Sequence, residues 1–123
     1  MDRDGAIAEV DAWLIEMTPR PDRPIRVHQI RVELINRIAI ETMAQLGGLG
    51  VDVGRFTDRS YHRTREIGDA ANFLGFDGML VPSARWPCMN LVMFLGNHDA
   101  RQKLEVTESV VMDWANWPPH PAP

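Results

Sequence analysis

The sequence predicts an α/β domain of the α+β kind, a small mixed sheet with flanking helices. Three observations lead there. Residues 6–17 and 60–74 carry apolar side chains at helical spacing. Two short apolar runs, 78–82 and 90–95, are bounded by glycine, proline and polar residues as buried strands are. Two longer stretches, 25–34 and 103–114, alternate apolar with polar as half-buried strands do.

The first helix spans Ala6 to Met17, with Ile7, Val10, Leu14 and Met17 on one stripe and Asp4 upstream as its N-cap. Glu9 lies off the centre of that stripe, one turn before Trp13, so periodicity assigns it to the boundary or solvent side. Pro19, Pro21 and Pro24 end the helix and hold Thr18 to Pro24 extended, as a connector within the domain. From Ile25 to Leu34 the apolar phase slips across His28 and Gln29. A one-residue slip turns every later side chain to the other face, so either a bulge near His28 or two separate short strands reconciles the pattern. His28 then reads as a side chain at that irregularity rather than a ligand.

Ile38 and Ile40 continue the apolar density, and Glu41 to Leu46 reads as a short helix stopped at Gly47. The segment GGLGVDVG, Gly47 to Gly54, has neither the G-x-G-x-x-G spacing nor a following Gly-Lys-Ser/Thr, so it is read as a flexible surface loop and not a phosphate loop. In the second helix, Ser60 to Leu74, Ile67, Ala70, Ala71 and Leu74 share one face and Gly75 is the C′ stop. Its first turns carry Tyr61, His62, Arg63 and Arg65, the densest cationic cluster of the chain, which is either a solvated face or an anion subsite. Gly78 to Pro82 and Asn90 to Leu95 bracket a polar turn containing Ser83 and Arg85. That turn is either purely structural or a binding site, since ligands of open α/β sheets sit outside the carboxyl ends of the strands. Lys103 to Trp114 is expected to pair antiparallel with Asn90 to Leu95, and Pro118 to Pro123 forms a polyproline-like tail.

At 123 residues the chain has room for one domain, taken as 1–117 followed by the Pro-rich tail 118–123. Thirteen Lys and Arg against 17 Asp and Glu leave a net charge of −4, which gives no long-range pull toward nucleic acid or an anionic membrane. One cysteine, Cys88, precludes an intrachain disulfide and suits a reducing compartment; it reads as a small buried hydrophobe. With no membrane-length apolar run and an acidic, non-signal-like start, a cytoplasmic protein is expected. The four histidines are scattered without metal-ligand spacing, so no metal is expected, and no G-x-S-x-G elbow surrounds Ser83 or Ser109.

The block RTREIGDAANFLGFDGMLVPSARWPCMNLVMF, Arg63 to Phe94, together with AIAEV, Ala6 to Val10, resembles the RES family, named for its Arg, Glu and Ser. The likeness runs from Ala6 to about Trp117, and the VPSAR and NLVMF segments are its specific part. It implies an ADP-ribosyltransferase-like fold and an NAD+-degrading toxin that splits the nicotinamide N-glycosidic bond by hydrolysis or phosphorolysis. NAD+ would be the substrate and an Xre-type antitoxin the protein partner. Glu9 takes the place of the family Glu and Ser83 that of the family Ser, both catalytic by the resemblance. Arg85, for a phosphate, and Asn90 are assigned to NAD+ from their positions. The family Arg lies upstream of its Glu, whereas Glu9 stands close to the start of this sequence, so the chain resembles a family member cut at its amino end. The alternative is a non-catalytic remnant serving antitoxin binding or self-association, for which Trp13, Trp86, Trp114 and Trp117 are candidate anchors.

Overall fold

The computed structural model describes residues 2–17, 23–55, 62–99 and 101–117. The expected connector at 18–22, Ser60 and Tyr61 of the second helix, and the tail 118–123 lie outside the described residues.

Helix α1 (Arg3–Leu14) begins three residues earlier than periodicity suggests, because Asp2 and not Asp4 caps it, its carboxylate accepting from the Gly5 N–H at 2.6 Å. Its buried positions are Gly5, Ile7 and Ala8, while Val10 and Met17 of the expected apolar stripe are exposed. Small residues explain the rotation. A Cβ on Gly5 would run into the Cys88 sulfur, so only glycine lets α1 settle this closely on the 83–88 turn.

Strands β2 (Arg37–Ala39), β3 (Gly78–Pro82) and β4 (Met89–Met93) form a mixed sheet in the order β2-β3-β4, β2 running parallel to β3 and β4 antiparallel. A separate antiparallel ribbon joins β1 (Ile25–Val32) to β5 (Leu104–Met112). The expected pairing of β5 with the 90–95 strand is therefore wrong: β5 lies against β1, where Ile25 faces Met112 and Val27 faces Val110. The phase slip in β1 is resolved as a bulge, with the register shifting between Gln29 and Ile30, and His28 Nδ1 lies 2.7 Å from Ser109 Oγ across the ribbon.

Helix α2 (Met43–Gly48) is closed by a reciprocal capping box between Thr42 and Gln45. Helix α3 (His62–Phe73) ends at Gly75, whose φ of +89° is the left-handed turn that glycine supplies. Ala71 is buried and Ile67 half-buried, but Ala70 and Leu74, expected on the same face, are exposed. The core joins Ile40, Leu46, Val51, Ala71 and Met79. Val51 sits in that core, so the Gly47–Gly54 segment is not the free surface loop the sequence suggested.

Asp77, just before β3, is 2% exposed and fastens the β1–β2 connection to the sheet. Its carboxylate accepts from the Ile35 N–H at 2.8 Å and the Asn36 N–H at 3.1 Å. Burial opposes its charge, but these bonds, one from the Gln102 side chain and one from its own N–H outweigh that and hold its pKa below 3.8. Trp86 and Trp117 pack in a tilted pair at a centroid distance of 5.3 Å, and Trp114 Nε1 donates to the Arg23 carbonyl, so three of the four tryptophans serve the domain itself.

Candidate active site

Docking of α1 on the 83–88 turn carries Glu9, one helical turn beyond Gly5, to the exit of β3. There Ser83 Oγ donates to Glu9 Oε1 at 2.8 Å, and Asn90 Nδ2, from β4, donates to the same oxygen at 2.8 Å. Among the described residues Glu9 Oε2 has no hydrogen bond. Three of the four site residues named from the sequence thus meet at one carboxylate oxygen. Arg85, the fourth, is held at its backbone, since its N–H donates to Ser83 Oγ at 3.1 Å.

The turn that presents Ser83 is itself tied. The Ser83 N–H donates to the Cys88 carbonyl at 2.9 Å, and the Trp86 N–H reaches Ser83 Oγ at 3.3 Å. The Ser83 hydroxyl therefore donates once and accepts twice, which is its full capacity. Its function in this arrangement is to fix the Glu9 carboxylate and the turn.

Glu9, Arg85 and Asn90 line a cavity of about 470 Å³; Ser83 stands behind its wall. Arg55 and Arg63 edge the same cavity, and His62, at the start of α3, joins them. Arg63 pairs with Glu66 at 2.6 Å and lies against Gly50, whose φ is +90°. Of the expected cationic cluster, then, His62 and Arg63 turn toward the Glu9 cavity, and Arg65 lines a neighbouring one. Asn90 carries an oddity: its Oδ1 is buried with no hydrogen-bond partner, while its amide nitrogen braces Glu9.

Sequence reasoning missed two parts of this site. Gly5 gave no signal at all, because its importance lies in the Cys88 sulfur facing it across the fold. The wall formed by Gly50, Val51 and Asp52 was set aside with the glycine-rich segment, although an apolar valine between glycines was a sign of burial.

Among the described residues no group of three or more His, Cys, Asp or Glu is placed to hold a metal ion, and no helix is long and apolar enough to cross a membrane. Compared with known families, the chain matches the model of the RES domain over residues 1–115. Among curated proteins and among solved structures, nothing matches.

Proposed function

Since the chain belongs to the RES domain family, which is associated with NAD+-related toxin function, we propose that it is a toxin enzyme that destroys NAD+ by cleaving the nicotinamide–ribose bond. Glu9 stands at the reacting centre, with Ser83 and Asn90 holding it there. The observation that carries this reading is the meeting of Glu9 and Ser83 at 2.8 Å, from positions 74 residues apart, on the wall of a cation-edged cavity.

In the proposed reaction the bond from ribose C1″ to the nicotinamide nitrogen breaks. Its electron pair leaves with nicotinamide, which departs neutral, and positive charge develops on the ribose as oxocarbenium character. A carboxylate held against that centre stabilises the charge and accepts a hydrogen bond from the incoming nucleophile. With water the products are nicotinamide, ADP-ribose and a proton; with phosphate the ribose ends as its 1″-phosphate ester. Two hydrogen bonds on Oε1 fix the plane of the Glu9 carboxylate and leave Oε2 for the substrate or nucleophile. Arg85 and Arg63 edge the cavity where the pyrophosphate would lie, guanidinium groups being suited to bidentate phosphate contacts. An Xre-type antitoxin, in the cytoplasm where NAD+ is plentiful, is the proposed partner.

A second reading, an antitoxin-binding or self-associating module without catalysis, is favoured by one observation. Phe73 is 90% exposed and Leu74 67%, side by side at the end of α3.

Incubation of the purified protein with NAD+, with and without phosphate, separates the two. The enzyme reading expects nicotinamide release that falls about 100-fold or more in Glu9→Gln. Absence of release at high protein concentration, or equal release by Glu9→Gln, overturns catalysis by this chain, and the phosphate dependence identifies the acceptor.

A further inference from the structure

A second hollow, of about 490 Å³, lies beside the Glu9 cavity, and the proposed chemistry makes no use of it. The two share Thr64, Val81 and Val92 in their walls. Strand register explains the continuity. Met79 faces Val92 and Val81 faces Asn90 across β3 and β4, so these four side chains, with Phe94 beyond, make one floor on one face of the sheet. Helix α3 runs along this floor as a common wall, giving His62 and Arg63 to the first hollow, Thr64 to both, and Ile67 and Gly68 to the second.

The chemistry changes along the trough. At the Glu9 end it is edged by Arg63 and Arg85. At the other end the lining is mostly apolar, Ile40, Leu46, Ile67, Met79 and Phe94, and the polar side chains Arg65, Asp69 and Asn72 also line it. A ligand matching both ends has a reacting sugar at one end, negative charge next to it, and a flat apolar ring with polar edges at the other. Each hollow lies within the roughly 300–1,000 Å³ usual for small-molecule sites.

Gly68 is the second, independent observation. It stands in the interior of α3, where glycine weakens a helix, and among the described residues no atom beyond its neighbours and its own helix backbone lies within 4 Å of the place a Cβ would occupy. Among the described residues no packing contact calls for glycine there, and Gly68 lines the apolar hollow, where a larger side chain would take up space.

Building on the NAD+ reading of the Glu9 cavity, we infer that the hollow beneath α3 is the base-binding subsite for the adenine end of the same dinucleotide. The substrate then lies across Thr64 with its pyrophosphate near Arg63 and Arg85, and the subsite selects whole dinucleotides over mononucleotides.

The test titrates wild type and Gly68→Leu with AMP and measures kcat/KM of both for NAD+ and for nicotinamide mononucleotide, which lacks the adenylate. Leucine at 68 grows into open space, and circular dichroism checks that the variant is folded. The expected result is at least a tenfold weaker AMP Kd in Gly68→Leu and an equal loss in the preference for NAD+ over the mononucleotide, carried by KM. Gly68→Ala, with one methyl group at the same place, gives a smaller loss in the same direction and serves if the leucine variant is unfolded. Wild type that binds no AMP, or AMP binding unaffected by both variants, overturns the subsite. If AMP binding depends on residue 68 but neither substrate is cleaved, the subsite stands and the catalytic reading of Glu9 falls.

Discussion

Asp77 at the entrance of β3 and Glu9 at its exit are both carboxylates fixed by hydrogen bonds, but the bonds are distributed differently. Asp77 is almost wholly buried and uses both oxygens on backbone donors, Oδ2 on Ile35 and Oδ1 on Asn36. Glu9 is half-buried, takes both its bonds on one oxygen, and takes them from side chains. A carboxylate that fastens backbone has nothing left for a ligand. One braced on a single oxygen at a cavity wall is oriented yet still available. That contrast, more than burial or charge, separates the acid that fastens the fold from the one left accessible at the cavity wall.

The contrast is tested most strongly by exchanging acid for amide at each end. Asp77→Asn puts an N–H donor where two backbone N–H groups need acceptors, and it is expected to give the largest drop in Tm of any change considered. Asp77 also has a sign in pH. Its folded pKa is lowered, so its contribution is complete above 3.8 and is lost as pH falls through the lower folded value; wild type should lose Tm in that acid range, and Asp77→Asn should show a shallower acid slope. Glu9→Gln should do the converse, losing about 100-fold or more in nicotinamide release while its Tm stays within a few degrees. A large Tm loss in Glu9→Gln would erase the distinction.

Smaller effects concern how Glu9 is delivered. Gly5→Ala would ordinarily strengthen a helix, but here the added Cβ meets the Cys88 sulfur, and the overpacking should cost about 1–3 kcal/mol and roughly tenfold in turnover. Cys88→Ala in the same chain should recover most of both, a coupling readable from a double-mutant cycle by thermal melts and turnover. Ser83→Ala removes one brace from Glu9 and leaves two backbone N–H groups, of Arg85 and Trp86, without their acceptor. A loss of about 1–2 kcal/mol in stability, and a fall in kcat with KM little changed, are expected, as for a residue that positions the acid without touching substrate.

Much of the chain could be read before any coordinates. Turn and cap signals gave β3 to the residue and Gly75 as the stop of α3, and the phase slip in β1 left a bulge or two short strands as its solutions, of which the bulge is the one formed, because each is a local conflict with a local solution. Strand partners could not be read, since alternation states which face is buried and not which neighbour is bonded; hence the misassigned partner of β5. The site divided along the same line. Ser83 could be singled out as a polar residue at a strand exit, but nothing in the spacing around Glu9 marked it, and only the family likeness joined the two. Asp77 went unremarked because its partners, Ile35 and Asn36, are some forty positions away. A charged residue between a helix-stopping glycine and a buried strand was the available clue.

The ribbon of β1 and β5 also has a kinetic consequence. His28 and Ser109 are 81 positions apart, and Glu9 is 74 from Ser83 and 81 from Asn90. Pairings of such long range require closing most of the chain into a loop before any contact is gained, which slows folding. A nascent chain that has exposed β4 holds every residue of the Glu9 cluster but not yet the strand that completes the ribbon. The Glu9 cluster and the ribbon therefore both wait on the closing of long stretches of chain, and the interval after synthesis is set by the search of distant segments for each other.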